Sequence, residues 1–153
     1  MTIPASYRAP LDLRALLAES PFLSDLGLEF ISLDATGAVF ELAIGRRHSN
    51  AERRLHGGVI ASLLDAACGL PVRFVGEGAD LVRAVTLTLS INYIAAPRAV
   101  RVRATGRVVG GGRQTVFSQD EVRDSDGRLV ATATGSFKRL RPAAPDDNPK
   151  ETS

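Results

Sequence analysis

From Leu81 onward the chain reads with a period of two. The runs LVRAVTLTLSINYIAA (81–96), AVRVRATGRVVG (99–110), RQTVFSQDEVRD (113–124) and RLVATATGSFKRL (128–140) alternate apolar with polar residues, as strands buried on one face do. Pro97, Gly110 to Gly112, and Asp126-Gly127 separate them, each a turn-forming signal. Two shorter extended runs, GLEFISLD (27–34) and AVFELAIG (38–45), come earlier, and the residues from Asp34 to Gly37 between them predict a hairpin. So many half-apolar strands need a cover, and the one long apolar segment with helical spacing is residues 57–70. The expectation is an α+β domain, an antiparallel sheet with one long helix on its face.

The 153 residues suffice for a single core without staples, and the lone cysteine, Cys68, allows no intrachain disulfide. Leucines 13, 16 and 17 predict a short covering helix that ends near Ser20, with Pro21 just beyond it. Residues 1–10 and 141–153 are Pro-containing and largely polar, so flexible ends around a domain spanning 11–140 are expected. The start lacks the charge and apolar pattern of a secretory leader, and no apolar run has the roughly 18 residues a membrane span needs, which points to a cytoplasmic protein without membrane contact. The net charge is only +2 but the basic residues are nearly all arginine, which suits planar contact with phosphate or carboxylate. With no Trp, no zinc-ligand spacing and no lysine tract, nucleic acid is not an expected partner.

The stretch LHGGVIASLLDAACG (55–69) carries the chemistry. On a helical wheel Gly58, Ala61, Ser62, Cys68 and Gly69 fall within about 60° of Asp65, while Val59, Ile60, Leu63, Ala67 and Leu70 take the back. The aliphatic side is expected to pack on the sheet and the small-residue side to admit another backbone or a ligand, with Asp65 buried in its centre. Pro71 lacks the N–H for the Ala67 carbonyl, so the helix is expected to end or kink there. Gly57 and Gly58 at the entrance leave backbone N–H groups open to an incoming oxygen at the positive end of the helix. Gly57 and Asp65 are eight residues apart, about 12 Å of helical rise, so one small carbonyl cannot meet both on the same helix. If the two cooperate, Asp65 comes from a second copy whose helix runs antiparallel across the small-residue face, and a two-fold dimer supplies that.

Other positions read less sharply when taken alone. His56 and His48 with one cysteine are too few for a metal site, and His56 is expected to brace its loop or touch substrate. Cys68 has no paired histidine and reads as core. Asn50 reads equally as a loop cap. Thr86, Thr88, Ser90 and Asn92 are expected on one strand face, where any could be an ordinary exposed position. Gly110 to Gly112 with Arg113 lack the Lys-Ser/Thr of a P-loop and read as a bulge or turn. No G-x-S-x-G occurs, so a serine-hydrolase mechanism has no support.

Asn50, the L-H-G-G of 55–58 and Asp65, followed by four long strands, together resemble the hotdog-fold acyl-CoA thioesterases of the phenylacetate-pathway, PaaI-like branch. The resemblance covers roughly residues 20–140 and implies an antiparallel sheet wrapped around a long central helix. It implies that the Gly57 N–H polarises a thioester carbonyl, with Gly58 supporting the turn, and that Asp65 is a general base or a nucleophile. It further implies that Asn50 orients the water or carbonyl and that Thr86 holds the water. His56 and Gly58, with Arg53 and Arg113 toward the CoA phosphates, would then contact substrate. No metal or redox cofactor is implied, and the partners are acyl-CoA and further copies of the chain, as dimer or tetramer. Two departures stand out: Arg53 occupies a loop position where relatives often have glycine, and Tyr93-Ile94-Ala95-Ala96-Pro97 lacks the arginine common after the third strand.

Overall fold

The computed structural model describes residues 20–76 and 81–141. A short helix α1 (Pro21–Leu26) leads into β1 (Leu28–Asp34) and β2 (Gly37–Ala43), and a 3₁₀ turn at Arg46–His48 precedes the long helix α2 (Gly57–Arg73). Four strands complete the chain: β3 (Ala84–Tyr93), β4 (Arg101–Gly111), β5 (Thr115–Asp124) and β6 (Leu129–Arg139). All six form one antiparallel sheet in the order β1-β2-β4-β5-β6-β3. Helix α2 thus carries the chain from β2 across the sheet, and β3 pairs on the far edge.

The expected strands stand within a few residues of their predicted limits, because alternation and turn residues agree. At the β1–β2 hairpin the Asp34 carboxylate accepts the Thr36 N–H at 2.7 Å, and at the β5–β6 turn the left-handed Gly127 (φ 83°) donates to the Asp124 carbonyl. The apolar side of α2 is buried as the wheel requires: Val59, Ile60, Leu63, Leu64, Ala67 and Leu70 pack on inward residues such as Phe30, Phe40, Leu42, Val102 and Val122. Cys68 is also fully buried, with Val72, Val116 and Phe137.

Pro21 opens a helix that the periodicity did not predict, α1, whose end is capped by left-handed Gly27. The predicted helix over 13–20 and both chain ends lie outside the described residues. At the other end, α2 runs through Pro71 to Arg73. A proline in the last turn removes only one bond, and other contacts hold the segment: Val72 is fully buried, its carbonyl accepts Arg139 Nε at 2.7 Å, and the Cys68 carbonyl accepts the Ser118 hydroxyl at 2.9 Å.

The Ala67 carbonyl, which Pro71 cannot bond, sits against Gly106 of β4. A Cβ on Gly106 would overlap that carbonyl and come within 3.0 Å of Cys68 N, so helix and sheet touch backbone to backbone here. Gly106→Ala is therefore expected to lower stability by about 1–3 kcal/mol or more, as overpacking against immobile backbone does. Gly110→Ala, where an added Cβ meets nothing within 4 Å, should cost far less; urea unfolding of the two variants beside the native chain checks the contrast.

Candidate active site

The start of α2 is organised by His56. This residue is the N-cap, and its Nδ1 accepts the Gly58 N–H at 2.8 Å, which makes Nε2 the protonated nitrogen. With the Gly58 N–H engaged, the Gly57 N–H is left without a partner among the described residues, at the positive end of a seventeen-residue helix. Tyr93, at the end of β3, lies over Gly57: its hydroxyl donates to the Gly57 carbonyl at 3.2 Å, and a Cβ on Gly57 would stand 3.4 Å from its ring. The sequence marked Tyr93 only as the start of the Tyr93–Pro97 segment after the third strand, with no role at the helix entrance.

Two turns further on, Asp65 is exposed in the single chain, not buried as expected. The reason is topological: the sheet curls around the aliphatic side of α2, and Asp65 opens on depressions that Ser20 and the start of α1 border without closing. The carboxylate is held by Thr86, whose Oγ1 donates to Asp65 Oδ1 at 2.8 Å. Simple alternation would put Thr86 on the outer face with Thr88, Ser90 and Asn92. The β3–β6 register shifts between Thr86 and Thr88, so that Thr86 pairs with inward Phe137 and Thr88 with outward Ser136. A bulge at Leu87 turns the hydroxyl toward the helix.

Asp65 and Thr86 open on a pocket of about 340 Å³, lined by Phe30, Phe40 and Phe137 and by Gly69, Leu70 and Arg73 of α2. The loop before α2 forms a separate depression from Arg46, Ser49, Asn50 and Arg53. There Asn50 Oδ1 accepts the N–H groups of Glu52 and Arg54, both at 3.0 Å, so the side-chain oxygen braces the loop and only the amide N–H groups face outward. Arg53 has a positive φ of 59°, the conformation a glycine would take there at no cost. Arg46, which sequence reasoning passed over, shares this depression. Arg113 stands apart: it precedes Thr115, which pairs with Lys138, itself paired with Val85 at the opposite end of β3 from Tyr93. Within one chain it is therefore remote from Gly57. His48 is structural, buried with Nδ1 accepting the Gly45 N–H at 2.9 Å and Nε2 2.8 Å from the Leu26 carbonyl. Other arginines are committed: Arg101 pairs with Glu29 and Glu41, and Arg123 with Glu121.

The profile of the thioesterase superfamily matches residues 53–131, which take in the end of the loop, α2, β3 to β5 and the start of β6. The chain belongs to the thioesterase superfamily. A medium/long-chain acyl-CoA thioesterase, YigI of Salmonella typhimurium, is 29% identical over 136 residues, covering 76% of this chain and 84% of that protein. The PaaI protein of the Escherichia coli phenylacetic acid degradation operon superposes with a TM-score of 0.75 at 25% identity, over 84% of this chain and 90% of the other. A mutant PaaI from Thermus thermophilus gives 0.70 at 31% identity, over 79% and 100%. The six-stranded sheet around one long helix is the superfamily's hotdog fold.

This thioesterase also carries two inward aspartates on β5 with opposite fates. Asp124 accepts backbone N–H groups from Arg98 at 2.9 Å, Arg128 at 2.9 Å and Asp126 at 3.1 Å, and the Arg98 bond foremost holds its carboxyl below the usual range. Asp120, four residues earlier, is 6% exposed and neither carboxyl oxygen has a hydrogen-bond partner among the described residues. Burial, and secondarily the charge of Asp65, pushes its pKa up to about 8, while the nearby Cys68 thiol and Ala133 N–H offset this only in part. Burial and Asp120 together push the Cys68 thiol up to about 12, so it is a core group and not a nucleophile.

The sign follows directly. Between its unfolded value and about 8, Asp120 is ionised when unfolded but protonated when folded, so the unfolded state binds fewer protons and stability falls as pH rises. The full span corresponds to something on the order of 5 kcal/mol. Asp120→Asn, which cannot ionise, is expected to be less sensitive: relative to the native chain it should gain stability from pH 5 to pH 8, read as urea midpoints at the two pH values.

Proposed function

We propose that the protein hydrolyses acyl-CoA thioesters to free acid and CoA, at sites that two copies of the chain build together. The observation that carries this reading is the pairing of a threonine-held carboxylate with an uncommitted helix N-terminal N–H on one uncovered side of α2. The Gly57 N–H receives the thioester carbonyl oxygen and stabilises the charge that develops on it. Asp65, with Oδ1 held by Thr86, uses Oδ2 to take a proton from water as the water adds to the carbonyl carbon, or attacks that carbon itself to give a mixed anhydride that water then cleaves. Either way the carbon–sulfur bond breaks and the CoA sulfur leaves as the thiol after protonation. Asn50 presents its amide N–H groups to the water or carbonyl, and His56 keeps the Gly57 peptide in place by occupying its neighbour. No metal or redox cofactor enters the reaction, and the setting is cytoplasmic.

The two halves lie about 12 Å apart along one helix, so the second copy matters. The outer edge of β3 is unpaired, and its side chains are exposed on both faces, including Val85, Leu87 and Tyr93. Antiparallel pairing of two such edges about a two-fold axis sets the start of one β3, where Thr86 holds Asp65, beside the end of the other, where Tyr93 covers Gly57. Arg53 and Arg46 then face the CoA phosphates from the copy that supplies Gly57, and Arg113 can approach only from the other. A pocket of about 340 Å³ beside Asp65 suits an aryl or short to medium acyl group. The medium/long-chain activity in the name of YigI is consistent with that class.

Release of free thiol from a panel of acyl-CoAs tests the chemistry. Asp65→Asn is expected to lower kcat by about 10²–10⁴-fold, the range for loss of a positioned base. Gly57→Pro removes only the N–H at a position where proline suits a helix start, and His56 already has the extended backbone that precedes proline; it should cost about 10²–10³-fold. Co-assembling the two inactive variants should restore turnover, because one of the two shared sites is then intact. Failure of the mixture to recover, or full activity in a monomer by sedimentation, would refute the shared site; tight binding without turnover in the native protein would make it an acyl-CoA binder instead.

A further inference from the structure

On α2, Asp65, Gly69 and Arg73 follow one another at i, i+4 and i+8 along the side that lines the phenylalanine pocket. Gly69 sits between the two charged residues and has no side chain to block the path. A Cβ there would come within 3.2 Å of Phe137 Cε1, so the bare glycine lets that ring close onto the helix, and together they form the floor and one wall of a channel. One end of that channel is the Asp65 carboxylate. The other is a guanidinium.

Among the arginines, Arg73 is the one that lines the pocket of Asp65; its Nε donates to the Val82 carbonyl at 3.1 Å, and its Nη groups have no partner among the described residues. No carboxylate among those residues pairs with it, whereas Arg101, Arg103 and Arg123 are all in ion pairs. The C-terminal end of the helix makes a cation tolerable there but uses none of the remaining donors. A planar fork with free Nη groups at the end of an apolar channel matches one ligand chemistry above others, a carboxylate bound in bidentate fashion.

We propose, building on the thioesterase reading, that the preferred acyl group ends in a second carboxylate: the substrate is the CoA monothioester of a medium-length dicarboxylic acid, its carbonyl at Asp65 and its far carboxylate on Arg73. The eight residues between the two charges span about 12 Å of rise, shortened because the long Arg73 side chain leans back toward Asp65, so a chain of medium length bridges them while a very short one does not. The unsubstituted acyl chain of equal length fills the same channel but leaves the guanidinium unpaired.

The test compares succinyl-, adipyl- and suberyl-CoA with butanoyl-, hexanoyl- and octanoyl-CoA by thiol release. In the native protein kcat/KM for suberyl- or adipyl-CoA should exceed that for the unsubstituted chain of equal length at least tenfold. Arg73→Gln should abolish that ratio, and Arg73→Lys should keep part of it. Equal use of both series by the native protein, or a ratio that Arg73→Gln leaves unchanged, overturns the proposal and leaves thioester hydrolysis standing. If the native protein releases no thiol from any substrate, hydrolysis itself is refuted, and calorimetric Kd values for suberyl- and octanoyl-CoA then decide the Arg73 assignment: tighter suberyl-CoA binding that Arg73→Gln removes upholds it, and equal binding overturns it.

Discussion

The backbone contact between α2 and β4 at Gly106 sets the geometry of everything else. Because no side chain separates the Ala67 carbonyl from Gly106, the helix lies deep in the curl of the sheet, and its aliphatic side is consumed by that packing. What remains outward is the row of small residues around Asp65. The Ser118 hydroxyl on the Cys68 carbonyl and Arg139 on the Val72 carbonyl fasten the far half of the helix, so the direction in which Asp65 points is fixed at both ends of α2. A helix resting higher on the sheet would keep its hydrophobic pattern and yet lose the alignment of Asp65 with Thr86.

Within that frame, polar groups are treated according to need. Asp124 has three N–H donors within 3.1 Å and closes a turn, while Asp120, on the same strand and the same face, has none. A buried carboxyl without partners costs stability, and burial together with the nearby Asp65 charge keeps Asp120 protonated well above the usual carboxylate range. His56 shows the opposite economy: one imidazole nitrogen caps the helix and in doing so determines which of two adjacent N–H groups stays open.

Much of this was legible in the sequence. Alternation located the strands, and the helical wheel separated the aliphatic side of α2, which packs on the sheet, from the side that carries Asp65. The misreadings have specific causes. Thr86 was placed on one strand face with Thr88, Ser90 and Asn92 because alternation assumes an unbroken register, and nothing in VTLTLS marks Leu87 as the extra residue. Pro71 was expected to end or kink the helix, because local propensity cannot register the tertiary contacts that carry α2 on to Arg73. Asp65 was expected to be buried because its neighbours on the wheel are small or apolar, and one chain leaves that position exposed. Asp120 and Arg73 gave no signal at all, since an acid or an arginine in an alternating or helical pattern is the commonest of residues until its surroundings are known.

The unpaired β3 edge has a consequence for how such a protein lives in a crowded solution. A ten-residue strand that is half apolar and offers a free row of backbone donors and acceptors is also a template for promiscuous strand addition. If two copies pair along this edge, as proposed, one event hides the template and completes the shared site, so selection against aggregation and selection for turnover would act on the same ten residues, and a substitution there would be judged twice.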